Sequence, residues 1–96
     1  MGRIKSIGII SSNREKRMYK RYVEVYASFS MYGQIIPQKI IWDKARSYEI
    51  DSIDDVRNAA SMSVGGAGVR YTCSIRGKKK YLFLEERKWF VEAKEK

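Results

Sequence analysis

The chain lacks histidine altogether and has only one cysteine and one proline among its 96 residues. Without histidine, a catalytic or metal site loses the commonest general base and the commonest zinc ligand. A single cysteine cannot close an internal disulfide, which excludes a disulfide-stapled secreted domain and fits a reducing compartment. No apolar run approaches the roughly 20 residues of a membrane-spanning helix. The apolar run at residues 7–10 is shorter than the apolar region of a signal peptide. We therefore expect a cytoplasmic protein with no membrane segment.

Acidic residues are scarce relative to basic ones. The chain has 20 Lys and Arg against 11 Asp and Glu, a net charge of +9. Residues 1–22 hold seven of the basic residues and one glutamate, so the surplus is concentrated there. This distribution favours a negatively charged partner, either nucleic acid or an acidic protein surface. The alternative is that the surplus only keeps a small protein soluble.

What is present suits one small folded domain. Apolar residues make up 44% of the chain, too many for a disordered protein, and 96 residues are enough for a single domain. Residues 1–17 show no clear period, and we interpret them as a basic N-terminal extension. Two explanations of it stay open, an unpacked segment or a native translation start at Met18. Residues 18–96 would then form the domain.

Alternation with a period of two dominates the chain from Tyr19 onward. In segment 22–31 the odd positions are all apolar, whereas the even positions are Tyr, Glu and Ser. Such alternation is typical of a strand with one face in the core. Gly33, residues 43–46, the glycines of 65–68 and the segment Gly77–Lys80 predict turns or breaks. The predicted strands cover residues 22–31, 35–42, 47–51, 69–76, 81–84 and 89–93.

The segment Ser52–Met62 fits two structures. Ser52 with Asp55 three residues later could cap a helix that carries Ile53, Val56 and Ala60 on one side. The same apolar residues could instead lie on a strand whose facing is shifted by a bulge. We favour the bent strand, because every segment around it is predicted as β.

Short strands with local turns predict an all-β fold, a small antiparallel, partly open barrel of five or six strands, SH3-like or OB-like. Trp89 and Phe90 are adjacent and so point to opposite faces of a strand. One of them must lie outside the barrel interior, covered by a terminus, a partner or a second copy of the chain. The predicted core consists of Val23, Val25, Phe29, Ile40, Trp42, Ile50, Val56, Val69, Tyr71, Cys73, Leu82, Leu84 and Val91.

An ordered set of short motifs covers about residues 18–93. These motifs are Ile40-Ile41-Trp42, Tyr48-Glu49-Ile50-Asp51, Asp55-Val56-Arg57, Ala59-Ala60-Ser61, Gly65-Gly66, Gly68, Arg70-Tyr71-Thr72-Cys73, Leu82-Phe83 and Trp89-Phe90-Val91-Glu92. Together they resemble a family of short bacterial proteins of unknown function. The resemblance implies a small cytosolic bacterial domain that begins near Met18, and it brings no established activity or catalytic residue.

No pattern in the sequence predicts an enzyme, a cofactor or a metal site. Cys73 lies on the apolar face of its strand and has no histidine to activate it, so we expect a core residue. Asp51, Asp54 and Asp55 could hold a hard cation or act as a carboxylate pair in an enzyme, a minor alternative, but they match no calcium-loop spacing and we expect them to pair with nearby Lys or Arg. The glycines of 65–68 lack the Gly-Lys-Ser/Thr ending of a nucleotide P-loop and are expected to connect two strands.

The strongest functional signal is a mixture of cations and aromatic rings. Arg70 and Arg76 lie on the predicted outward face of one strand, and three lysines extend that positive strip. Positive groups can follow phosphates while flat rings stack on bases, so the pattern predicts a non-catalytic nucleic-acid-binding module. The alternative is a protein-interaction or homodimerisation domain that uses an exposed strand edge and one face of the Trp89-Phe90 pair. The residues predicted to contact nucleic acid are Arg70, Arg76, Lys78, Lys79, Lys80, Tyr22 and Tyr26.

Overall fold

A computed structural model describes residues 18–62, 64–66 and 68–94, and these residues contain seven β-strands and no helix. The predicted N-terminal extension, residues 1–17, lies outside the described part. Within that part, no helix has the length and apolar character needed to cross a membrane. The strands are β1 (Met18–Phe29), β2 (Ile35–Ile41), β3 (Ser47–Glu49), β4 (Ser52–Asn58), β5 (Val69–Ile75), β6 (Lys78–Glu85) and β7 (Lys88–Lys94).

The seven strands form one sheet in the order β3-β2-β1-β7-β6-β5-β4, and every neighbouring pair is antiparallel. The two outermost strands follow each other in the chain and are separated by Ile50 and Asp51 alone. The Ile50 amide donates to the Gln38 carbonyl of β2 at 2.9 Å, and the Asp51 amide donates to the Ser74 carbonyl of β5 at 2.8 Å. One short stretch of chain therefore joins both edges, and the sheet curls into an open half-barrel. The predicted class, an all-β, antiparallel, partly open barrel, is confirmed, and the described residues form seven strands where five or six were predicted.

The ambiguous segment after Ser52 is a bent strand, as favoured from the sequence, and the helical alternative is wrong. Strand β4 pairs with β5 along its length, and the register shifts between Ile53 and Asp55. A bulge of this kind kinks a strand and increases its twist. The kink lets consecutive strands pair at opposite edges of the sheet, β3 with β2 and β4 with β5.

The concave face of the half-barrel holds the main core. Ile40, Tyr71, Cys73 and Leu82 are buried at its centre, and apolar residues from six strands or their ends pack against them. Most of the predicted core is therefore confirmed. Two predicted core residues, Phe29 and Val56, are exposed instead. Phe29 ends β1, which continues past Lys88, the first residue of β7, and Val56 lies on the edge strand β4, so on one side of each no strand of the described residues covers it. The residues packed against the centre are Val23, Val25, Ile50, Ile53, Val69, Ile75, Leu84, Trp89 and Val91.

A second apolar cluster lies on the convex face. Phe83 and Phe90 are directly opposite each other on β6 and β7, and both are buried. The Lys20 ammonium lies 4.9 Å above the Phe90 ring and forms an ion pair with Glu85 at 2.8 Å. Gly66 of the β4–β5 connection packs against both ends of that ion pair, where a Cβ would come within 2.7 Å of the Lys20 Nζ. Phe90 is thus the outward member of its pair with Trp89, and the chain's own residues cover it.

The turn between β5 and β6 is shorter than the sequence pattern predicts. Ile75 pairs with Lys78, which leaves only Arg76 and Gly77 in the loop, both with positive φ (52° and 78°). This is the geometry of a two-residue type I′ hairpin. The prediction that Lys78, Lys79 and Lys80 form the turn is therefore wrong, because they are strand residues whose side chains alternate between the two faces.

Strands β6 and β7 separate halfway along their length. Their pairing runs from Glu85↔Lys88 to Phe83↔Phe90 and ends there, although β6 extends back to Lys78 and β7 extends on to Lys94. The half-barrel is therefore open at the end where the β5–β6 turn lies, and this opening positions the candidate site.

Candidate functional site

A cleft of about 570 Å³ occupies the gap between the separated ends of β6 and β7. Its apolar lining comes from both sides of the gap and from the concave face behind it. That lining consists of Ile40, Trp42, Tyr48, Ile75 and Val91, together with the ring of Tyr81. The remaining lining residues are Arg76, Lys78, Lys79, Lys80 and Glu92. Four cations and one carboxylate thus surround an apolar floor.

The aromatic part of the floor comes from the β2–β3 hairpin, in which Trp42 directly follows β2 and Tyr48 lies in β3. The rings of Trp42 and Tyr48 meet edge to face, with centroids 6.4 Å apart. The Arg21 guanidinium lies 3.8 Å above the Trp42 ring centroid and donates a 2.9 Å hydrogen bond to the Trp42 carbonyl. These contacts hold the indole in place, because its backbone and one of its faces are both engaged. The Arg76 guanidinium lies 5.3 Å from the Tyr48 ring centroid on the other side of the cleft.

Three cations of the cleft have no acidic partner among the residues that the structure describes: Arg76, Lys78 and Lys80. Lys78 lies opposite Ile75, and Lys80 lies opposite Cys73. Residues directly opposite each other in an antiparallel pair share a face, so both lysines extend from the concave side of the sheet. The short turn places Arg76 beside them, where its amide donates to Asp51 Oδ2 at 2.9 Å.

Lys79 extends from the convex side and is engaged there. Its Nζ lies 2.8 Å from Asp54 Oδ2, and Asp54 also accepts hydrogen bonds from the Ser74 and Ser52 hydroxyls. Hydrogen bonding from Lys79, and then from the two serines, lowers the pKa of Asp54 from 3.8 to about 2. Lys79 is therefore at the rim of the cleft with its charge already compensated.

Arg70 also lies on the convex side, away from the cleft. It is directly opposite Phe83, and its guanidinium lies 4.5 Å from the Tyr81 ring centroid. The Arg70 Nε is buried and has no hydrogen-bond partner among the described residues. Arg70 is thus held against an aromatic ring and does not join the cations of the β5–β6 turn.

Tyr22 and Tyr26 are exposed on the convex face of β1. Tyr22 is opposite Phe90 and contacts it edge to face at 6.1 Å, and Lys88 lies 5.7 Å from its ring centroid. Lys39 lies 5.8 Å from the Tyr26 ring. The structure therefore separates the two halves of the sequence-predicted site. The tyrosines face the convex side, whereas Arg76, Lys78 and Lys80 extend from the concave side at the open end.

The cysteine and the three aspartates that the sequence raised as candidates for catalysis or metal binding are all engaged in burial or in hydrogen bonds. The Cys73 thiol is fully buried, and desolvation, followed by the charge of Asp54, raises its pKa to about 11. The carboxylate of Asp51 accepts a hydrogen bond from the Arg76 backbone amide, and those of Asp54 and Asp55 accept from the Lys79 and Arg57 side chains. Within residues 18–62, 64–66 and 68–94, no group of three or more His, Cys, Asp or Glu side chains could hold a metal ion.

The two aromatic residues of the floor, Trp42 and Tyr48, were absent from the sequence-predicted site, and so was Arg21, which lies against Trp42. Trp42 was predicted as core, and it is only half-buried because the open end of the barrel leaves it at the rim. One feature of the sequence pointed to Arg21: it is a cation at an odd position of β1, on the side of the strand whose following residues are apolar. A cation on the apolar side of a strand needs either a polar neighbour or an opening to solvent.

The chain matches no protein-family model, no curated protein and no solved structure with which it was compared. The resemblance over residues 18–93 therefore remains a prediction, as do the SH3-like and OB-like assignments.

Proposed function

We propose that the protein is a non-catalytic module that binds single-stranded nucleic acid in the cleft between β6 and β7. The observation that supports this proposal is the combination, at one opening, of aromatic rings with cations that have no acidic partner among the described residues. Arg76, Lys78 and Lys80 would contact phosphates, and Trp42 and Tyr48 would contact a base. The cleft volume of about 570 Å³ is within the roughly 300–1,000 Å³ of small-ligand pockets, enough for one nucleotide unit.

Single strands suit this geometry better than duplexes do. A base can reach the floor of a recessed cleft only if it is unstacked and unpaired, and stacking on an aromatic ring stabilises such a base by about 1–3 kcal/mol. In duplex DNA the bases are stacked within the helix, so only the phosphates would be accessible to the cations at the rim. We therefore expect a preference for single strands and weak, salt-sensitive contact with duplexes.

The proposed site differs from the one expected from sequence. It keeps Arg76, Lys78 and Lys80, adds Trp42 and Tyr48 as base-contacting rings, and leaves Lys79 at the rim. Arg70, Tyr22 and Tyr26 lie on the other face of the sheet and are not part of it. We further propose a cytoplasmic location, because the free thiol of Cys73 needs no oxidising compartment.

The test is a fluorescence-anisotropy titration of labelled single-stranded and duplex oligonucleotides at several salt concentrations. Three phosphate contacts predict a slope of log K against log[salt] of about −2 for a single strand. Lys78→Gln/Lys80→Gln should lower the affinity at low salt and reduce the slope to about −0.7. Arg87→Asn/Lys88→Gln removes the same charge from the β6–β7 turn at the opposite end, so it serves as the matched control and should bind nearly as wild type does.

Two further variants distinguish binding in the cleft from binding on the convex face of the sheet. Trp42→Leu should weaken single-strand binding by about 5- to 150-fold, the equivalent of one lost stacking contact. Tyr26→Leu on the convex face should leave the affinity unchanged. Absence of binding at low salt would overturn the proposed function. Equal losses in the two charge variants, or a loss in Tyr26→Leu with none in Trp42→Leu, would overturn the assignment to the cleft.

A further inference from the structure

The β1–β2 hairpin extends past the rest of the sheet. Strand β1 pairs with β7 only from Met18 to Val23, because β7 begins at Lys88. The remaining part, Glu24–Phe29, pairs with β2 on one side. On its other side, no strand of the described part of the chain continues the sheet. The hairpin therefore presents a free strand edge of six residues, which we call the β1 free edge.

The end of this hairpin is apolar and exposed. The exposed fractions are 56% for Tyr26, 73% for Phe29, 89% for Met31 and 82% for Tyr32. The segment Ala27–Gln38 contains no charged residue, although charged residues make up 32% of the chain. A concentration of exposed apolar side chains beside an unpaired edge is typical of an interaction surface.

The area and the charge of this surface both suit a second copy of the chain. An aromatic side chain buries about 150–250 Å², so covering these four side chains would remove about 500–600 Å² per copy. Main-chain pairing along the β1 free edge adds to that area, which approaches the roughly 800 Å² per partner of a stable interface. Two chains of charge +9 repel each other, and the uncharged segment Ala27–Gln38 brings no further Lys or Arg to the contact.

We propose that the β1 free edge pairs antiparallel with the same edge of a second copy, in a symmetric homodimer. A two-fold axis near the middle of the edge makes the contact self-complementary, so it closes at two copies. Because the hairpin tip is at one end of the edge and Lys88 is at the other, the tip of each copy lies beside the β6–β7 turn of its partner. A notch whose lining includes Glu24, Val25, Arg87, Lys88 and Trp89 is present at that position. The proposal does not depend on nucleic-acid binding.

Sedimentation equilibrium and light scattering from about 1 μM to about 1 mM test the dimer. We expect a reversible monomer–dimer equilibrium. Met31→Glu should shift the dissociation constant at least about tenfold toward monomer, because it buries a charge at the interface. Met62→Glu is the matched control, since Met62 is an equally exposed methionine away from the hairpin, and it should leave the equilibrium unchanged. A strict monomer at the highest concentration overturns the proposal, and so does a dimer that Met31→Glu leaves intact.

Disulfide cross-linking tests the antiparallel arrangement. Tyr32→Cys and Arg87→Cys chains, mixed under oxidising conditions, should form a cross-linked heterodimer, because each tip would lie beside the partner's β6–β7 turn. The native Cys73 is buried and does not compete. The same mixture carrying Met31→Glu should lose the cross-link. Formation of linked Arg87→Cys pairs in preference to the mixed pair, or growth into larger oligomers, would show a different arrangement and overturn the two-fold pairing.

Discussion

Phe83 and Phe90 are stacked face to face across β6 and β7, with ring centroids 4.9 Å apart and planes inclined by only 6°. Phe83 and Phe90 are the last paired residues before the two strands separate. They lie on the convex face, where the Lys20–Glu85 ion pair and Gly66 cover them. The stacked pair is therefore the point at which the sheet changes from continuous to open, and the cleft begins next to it.

Phe90→Ala should destabilise the fold strongly. The change removes a buried ring and leaves a cavity beside Phe83, so the free energy of unfolding should fall by about 3–5 kcal/mol. Urea denaturation of the monomer at low protein concentration measures it. Phe29→Ala is the matched control, because that ring is exposed, and it should change the value by less than about 0.5 kcal/mol. Equal decreases in the two variants would show that burial of Phe90 in the convex cluster does not stabilise the fold more than an exposed ring does.

Tyr71→Phe should remove a link across the barrel. The Tyr71 hydroxyl donates a 2.8 Å hydrogen bond to the Ile35 carbonyl and so joins β5 to the start of β2. Its loss should cost about 1–2 kcal/mol of unfolding free energy, since the carbonyl loses its donor in a partly buried place. Tyr32→Phe, at an exposed tyrosine, should have no effect in the same denaturation experiment.

The β6–β7 turn is strained, and relieving the strain should stabilise the protein. Glu86 and Arg87 both have positive φ (51° and 76°) in a two-residue turn that favours Asn and Gly. Glu86→Asn/Arg87→Gly should raise the unfolding free energy by about 1–2 kcal/mol and increase Tm. Glu86→Gln/Arg87→Gln removes the same charges without relieving the backbone, so no gain should appear. A gain in both variants would point to charge rather than strain.

Asp54 should make the stability depend on pH in acid. Its pKa is about 2 in the folded protein and 3.8 ordinarily, so folding favours the ionised form. The stabilisation is complete above about pH 4 and is lost as the pH falls from 4 toward 2. Asp54→Asn should flatten that part of the unfolding curve. Lys79→Gln removes the largest cause of the shift, so the total loss of stability in acid should be smaller and should be complete at a higher pH than in the wild type. An unchanged acid limb in both variants would contradict this account.

Cys73 should be inert in the folded protein. Burial raises the pKa of its thiol to about 11, so at neutral pH almost no thiolate is present and none is accessible. An aromatic disulfide reagent should label it at the rate of unfolding, and labelling should become fast in urea. Rapid labelling of the native protein at neutral pH would show that the half-barrel opens far more readily than its packing indicates.

The sequence by itself determined the class of the fold and most of its core. Alternation along segments such as 69–76 specifies which side chains are buried, because a period of two sorts them onto opposite faces of a sheet regardless of strand order. The same rule identified Trp89 and Phe90 as facing opposite ways, and the bulged strand after Ser52 followed from its surroundings.

Tertiary structure decided what alternation does not contain, namely where strands end relative to their neighbours. Phe29 is exposed because β1 outruns β7, and Phe83 is buried because the opposite strand and the chain's own loop cover the convex face. The cleft exists because β6 and β7 separate after Phe83 and Phe90, which depends on the curl of the whole sheet. A two-residue turn at Arg76–Gly77, instead of a longer one, placed Lys78 and Lys80 on the concave side and Lys79 on the other. Side-chain facing is a local property of the chain, whereas the grouping of Trp42, Tyr48 and the lysines depends on strand order and sheet closure, and those arise only when distant segments pair.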